Sequence, residues 1–138
     1  MKSAAAAALL VAGLALGLAS PALADNAASI AQVSAYPDLT TGEALYKGVC
    51  QGCHMPDAKG AQGAAAYPSL AASQKLKIGA YPMLVVTRGQ KAMPEFGSSF
   101  TDAQIANVVN YIRTSFGNGY KDAVTETDVA KLRPPPAK

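Results

Sequence analysis

Tryptophan is absent from this 138-residue chain, phenylalanine occurs three times, histidine once and cysteine twice. Each scarcity removes a class of protein. A structural zinc site takes four ligands, usually Cys or His, and this chain offers three with no second cluster. Charge of one sign is also in short supply: 12 basic against 9 acidic side chains leave a formal +3. No basic run with interleaved aromatics occurs, so a nucleic-acid partner is not expected. Internal repeats are missing, and no stretch alternates persuasively enough for a strand.

What the chain does hold is concentrated. Cys50-Gln51-Gly52-Cys53-His54 gathers both cysteines and the one histidine within five residues. On a helical turn, positions i, i+3 and i+4 share a face. Two thiols and an imidazole so placed can meet a porphyrin edge and its iron, and C-x-x-C-H is the attachment signature of c-type haem. A thioredoxin-like redox pair would need a strand-to-helix context, which the flanking sequence lacks. A disulfide across two residues closes too short a loop to stabilise much. Cys50 and Cys53 are therefore expected to bind haem c through thioethers, and His54 to ligate its iron. Half the residues are apolar while large aromatics are few, which fits a chain that packs around a cofactor.

Lys2, the apolar run Ala4–Ala19 and the A-x-A triplet Ala22-Leu23-Ala24 read as a cleaved signal peptide over 1–24. The run is short for a membrane span, and no cysteine near the triplet would support a lipid anchor. A soluble, exported, periplasmic protein is expected, without a stable membrane anchor. Without Lys2, 11 basic and 9 acidic side chains remain. Residues 25–39 read as an N-terminal extension, 40–119 as one domain, and 120–138 as a tail.

Helices account for the rest, so the fold is expected to be all-α. Thr40 with Glu43 matches a capping box and opens the helix that leads into the cysteines. Residues 56–70 are Gly- and Pro-rich loop. Ser69–Ser73 and Ile78–Arg88 are each candidates for a helix. The second has Tyr81, Leu84 and Val85 at helical spacing and Gly89 as its stop. Thr101 and Gln104 form a second box, Phe100 can staple to Ile105, and Ile105, Val108, Val109, Ile112 and Phe116 make an apolar stripe. Asn107, Asn110 and Arg113 are expected to face water. A short helix near Thr127–Leu132 precedes Pro134-Pro135-Pro136.

With one histidine, the iron's sixth ligand must be another residue type or absent. Met55 adjoins His54 and cannot reach the other haem face, and Met83 falls inside a helix as core filling. Met93 precedes Pro94 in an irregular segment and is the candidate axial ligand. His/Met ligation leaves no open position, so one-electron transfer is the natural chemistry and the potential is raised. The alternative is a haem enzyme or small-ligand sensor with an open sixth site; peroxide chemistry would want a distal His or Arg, and only Arg88 lies near.

The order Cys50-x-x-Cys53-His54, then Met93-Pro94, then a terminal amphipathic helix resembles the class I c-type cytochromes over about residues 40–116. That resemblance implies a small cytochrome c fold whose N- and C-terminal helices cross beside one covalently bound haem. It implies that Gly42 and Tyr46 meet Tyr111. It also implies that the Pro68 carbonyl accepts a hydrogen bond from His54, fixing its tautomer. Arg113–Asn118 and Val129–Arg133 are similar to cytochrome subunits of periplasmic dehydrogenases. The implied role is a monomeric electron carrier, not an enzyme, passing electrons between redox proteins such as a dehydrogenase, an oxidase or another cytochrome. Lys47, Lys59, Lys75, Lys77, Arg88 and Lys91 are expected around the crevice, where they could steer an acidic partner.

Overall fold

The computed structural model describes residues 32–63 and 66–133. The expected leader, residues 1–24, and the run Pro134–Pro136 lie outside the described residues. Among the described residues the fold is all-α, as expected, with an isolated bridge between Gln90 and Met93 in place of any strand.

The first helix is built in three parts: α1 (Gly42–Leu45), a π-helical stretch (Tyr46–Cys50) and α2 (Gln51–His54). The π turn is visible in one bond, the Gln51 N–H donating to the Tyr46 carbonyl five residues back. The cap differs from expectation. Thr41, not Thr40, is extended and accepts from the Ala44 N–H, which places Glu43 one position too early for a box. Glu43 instead pairs with Lys47 one turn on.

No helix forms over Ser69–Ser73. Leu70 and Ala71 both donate to the Ala58 carbonyl, and Ala72 has a positive φ of 47°, so these amides are spent across the loop and the chain turns left-handed. A 3₁₀ turn follows at Gln74–Leu76, then α3 over Ala80–Arg88. Gly89, at φ 72°, ends α3 as expected. The core face of α3 is Pro82, Met83, Val86 and Thr87, rather than Tyr81, Leu84 and Val85. Leu84 is 38% exposed, while Tyr81 and Val85 turn to a cavity described below.

The fourth helix, α4 (Asp102–Thr114), carries the complete Thr101/Gln104 capping box. Its stripe Ile105, Val108, Val109 and Ile112 is buried. Phe116 lies past its end, at φ 57°, and packs on Tyr46 with ring centroids 4.8 Å apart. Tyr46 and Tyr111 meet at 5.7 Å, so α1 crosses α4 where the resemblance put the contact.

The polar side of α4 is the main correction. Arg113 is buried, 1% exposed. It donates to the carbonyls of Leu76 and Lys77 at 2.9 and 3.1 Å, and to the Asp122 carbonyl and carboxylate. Asn110 is half-buried and bonds both backbone groups of Val124; Asn107 is exposed but donates to the Thr40 carbonyl. These partners come from segments remote in sequence, which a helical wheel does not register. The short helix of the tail, α5, spans Glu126–Leu132 behind a reciprocal Thr125/Asp128 cap. It seats Val129, fully buried, in the core shared with α4.

Candidate functional site

α2, the loop after it, α3, the segment after α3 and α4 enclose a cavity of about 580 Å³, within the range of cofactor pockets. Cys50, Cys53 and His54 line it from the first helix, and Val108 and Ile112 from α4. Tyr81 and Val85 contribute from α3, and Met93 and Phe96 from the segment beyond.

The loop following α2 folds back over the motif. Gly60 N–H donates to the His54 carbonyl and Ala61 N–H to that of Cys53, each at 3.0 Å. Tyr67 N–H in turn donates to the Ala61 carbonyl. That closure brings the Pro68 carbonyl oxygen within 3.2 Å of His54 Nδ1. A proton on Nδ1 can donate there, leaving the Nε2 lone pair for a metal. Burial holds the His54 pKa below its ordinary value, the Pro68 bond opposing only in part, a shift that favours the neutral imidazole, the form able to bind a metal.

Burial, then the neighbouring Cys53, push the free Cys50 thiol up to about 11. Thiol–disulfide exchange relies on the opposite shift, so the redox-pair reading is disfavoured. Tyr46, in the π turn, is pushed up to about 12, mainly by burial, and its hydroxyl donates to the Met55 carbonyl at 2.7 Å.

The methionines separate by position. Met93 lines the cavity. Met83 is buried in the core away from the lining, and Met55 is 39% exposed. Met93 is held by paired backbone bonds with Gln90, each 3.0 Å, across a tight turn in which Lys91 has φ 55°. Tyr81 Oη donates to Gln90 Oε1 at 3.2 Å. Sequence reasoning did not single out Tyr81 for this site; its i, i+4 spacing to Val85 was the available signal. Of the candidate cations, Lys75 and Lys91 line the cavity. Lys47 and Lys59 pair with Glu43 and Asp57, and Arg88 donates to the Leu132 carbonyl.

The donor set fits a haem: two thiols spaced i, i+3, a neutral imidazole, a thioether and apolar walls. The family model for cytochrome c oxidase, cbb3-type, subunit III matches residues 37–112. The chain belongs to this family of c-type cytochromes. The match takes in the C-x-x-C-H motif, Met93 and most of α4. The cytochrome is 35% identical over 108 residues to the gluconate 2-dehydrogenase cytochrome c subunit of Pantoea cypripedii, covering 70% of this chain and 24% of that one. It is 32% identical over 135 residues to the fructose dehydrogenase cytochrome subunit of Gluconobacter japonicus, covering 77% and 24%. A 42-residue stretch is 55% identical to the cytochrome c subunit of the quinone alcohol dehydrogenase of Gluconacetobacter polyoxogenes, covering 30% and 9%. The chain thus spans a quarter or less of the length of these relatives. It is a c-type cytochrome akin to dehydrogenase cytochrome subunits, and haem c is the cofactor its family implies. Among the described residues no helix is long and apolar enough to cross a membrane.

Proposed function

We propose that this cytochrome is an exported, periplasmic, monomeric carrier of one covalently attached haem, accepting single electrons from a dehydrogenase and passing them toward an oxidase or another cytochrome. Cys50 and Cys53 would hold the haem through thioethers, and His54 and Met93 would ligate its iron. The observation that supports this reading is the gathering of Cys50, Cys53, His54 and Met93 on one apolar cavity, with Met83 and Met55 elsewhere. When bound, haem c supplies a one-electron iron couple whose potential methionine ligation raises.

The chain's own residues then do three things. His54, oriented by the Pro68 carbonyl, keeps one tautomer and one ring plane. Tyr81, Val85, Phe96 and Ile112 exclude water from the cavity. Lys75 and Lys91, at its edge, favour approach of an acidic partner.

The test is the exported holoprotein. Its mass is expected to exceed that of the apo chain by one haem, and its ferric spectrum to carry a far-red methionine-to-iron band. His54→Ala is expected to abolish stable holoprotein, and Cys50→Ala or Cys53→Ala to weaken haem retention. A high-spin ferric spectrum that binds azide without losing any such band would instead mark an open sixth position.

A further inference from the structure

The segment carrying Met93 leaves α3 at Gly89 and reaches α4 at Thr101, and both of its ends are tied to two consecutive residues of the C-terminal helix region. At its start, Arg88 Nη2 donates to the Leu132 carbonyl oxygen at 2.8 Å. At its end, the Arg133 guanidinium donates to the carbonyls of Gly97 and Phe100, the latter at 2.9 Å. The same guanidinium pairs with Asp102, in the first turn of α4, and Nη2 reaches Gln32 Oε1 at 3.0 Å. The Arg133 and Asp102 side chains are only 18% and 19% exposed, so the pair is screened less than the surface pairs of this chain. Val129, fully buried, anchors α5 beneath them. Residues 113–133 lie outside the span matched by the family, 37–112.

Between those ends the segment has few other ties. Phe96 N–H donates to the Val86 carbonyl and Gly97 N–H to that of Thr87, Tyr81 Oη reaches Gln90 Oε1, and the Ser99 carbonyl accepts from Ala35 N–H and Ser34 Oγ. A ligand on an irregular loop is displaced when the loop opens locally, and the ease of opening follows the number of tethers. Only a planar guanidinium can serve Gly97, Phe100, Asp102 and Gln32 at once; an ammonium cannot reproduce that fork.

We propose that Arg133 is a positioning residue: with Leu132 it straps the Gly89–Phe100 loop from behind and so limits displacement of Met93 from the iron. The proposal rests on the reading of Met93 as sixth ligand. It assigns to the C-terminal segment control over how readily the sixth position admits another ligand.

The test uses ferric holoprotein, with imidazole as the displacing probe and amide hydrogen exchange as an independent readout. Arg133→Met is expected to bind imidazole about tenfold more tightly than wild type, the equivalent of one lost charge-assisted hydrogen bond. Exchange at Met93, Phe96 and Gly97 is expected to quicken while exchange in α1 and α2 is unchanged. Arg133→Lys should fall between, and Lys131→Met, on the exposed face of α5, should match wild type in both. Wild-type exchange at those amides in Arg133→Met overturns the strap, whatever the melting temperature does. Faster exchange with unaltered imidazole affinity overturns its control of the ligand. If Met93→Ala binds imidazole as wild type does, the sixth-ligand reading has failed instead, and the exchange data still decide whether Arg133 holds the loop.

Discussion

Gly42 lies against the backbone of Asn107 so closely that a Cβ on it would stand 2.2 Å from the Asn107 carbonyl oxygen and 2.6 Å from Tyr111 Cβ. Hydrogen is the one side chain the α1–α4 crossing admits. Gly42→Ala should force the helices apart and cost about 1–3 kcal/mol, as overpacking does. Gly52, in α2, has nothing within 4 Å of its own would-be Cβ. Gly52→Ala should be neutral or stabilise by up to about 1 kcal/mol, through helix propensity. Melting of the two holoproteins, read side by side, checks the opposite signs.

Met93 and Met83 should part by spectrum rather than by stability. Met93→Ala is expected to lose the far-red band, admit exogenous ligands and lower the potential. Met83→Ala, at a site 5% exposed, should retain the band and lose roughly 2–5 kcal/mol of packing. Retention of the band in Met93→Ala with its loss in Met83→Ala would reverse the assignment.

Thr40 and Thr41 offer a test of which residue caps α1. Thr41→Ala removes the oxygen that accepts from Ala44 N–H and should cost about 1 kcal/mol. Thr40 serves Asn107 through its backbone carbonyl alone, so Thr40→Ala should leave the melting temperature near wild type. Equal losses in both variants would contradict the cap.

The Arg113–Asp122 pair sets an acid sensitivity. A hydrogen bond from Arg113 is the main cause holding the Asp122 carboxyl below its ordinary 3.8. A carboxylate whose folded pKa is depressed contributes fully above its unfolded value and loses that contribution as pH falls through the folded one. Wild type should therefore lose more stability below 3.8 than Asp122→Asn does, the extra loss being complete once the Asp122 carboxyl is protonated in the folded as well as the unfolded state. Because Asp122 is 72% exposed, the gap is expected to be small. Arg113→Met is a larger change. It leaves the buried Leu76 carbonyl without its donor, at about 1–3 kcal/mol for that unsatisfied group, while the Lys77 carbonyl, on an exposed residue, can turn to water.

What could be read ahead of the structure follows the range of the interactions. Thr101, Gln104 and the Ile105–Ile112 stripe were legible because cap and stripe are written within one or two turns. C-x-x-C-H was legible for the same reason. Arg113 was misread because its partners Leu76, Lys77 and Asp122 come from a 3₁₀ turn and a tail whose positions no local pattern encodes. Phe116 continues the α4 stripe by count, yet its positive φ carries it onto Tyr46 instead. Ser69–Ser73 failed as a helix because Ala58, more than ten residues earlier, takes the amides that an i−4 ladder would need. Of the site, Pro68 could be placed only through resemblance, since a backbone acceptor has no side-chain signature. Tyr81 and Val85 were seen as an apolar face without any indication that the face belongs to a cavity rather than to the core.

The π turn over Tyr46–Cys50 gives the motif a bearing as well as a spelling. One residue of regular α-helix corresponds to about 100° of azimuth, and the wide turn winds more slowly than its neighbours. Gly42, locked against α4, fixes the zero of that dial; Cys50, Cys53 and His54 are read off farther round it. Removing one residue between Gly42 and Cys50 would leave Cys-x-x-Cys-His intact letter for letter, yet swing its thiols and imidazole out of phase with the wall where the Pro68 carbonyl waits. The spacing from the crossing glycine to the first cysteine is thus as much a part of the proposed haem site as the cysteines themselves.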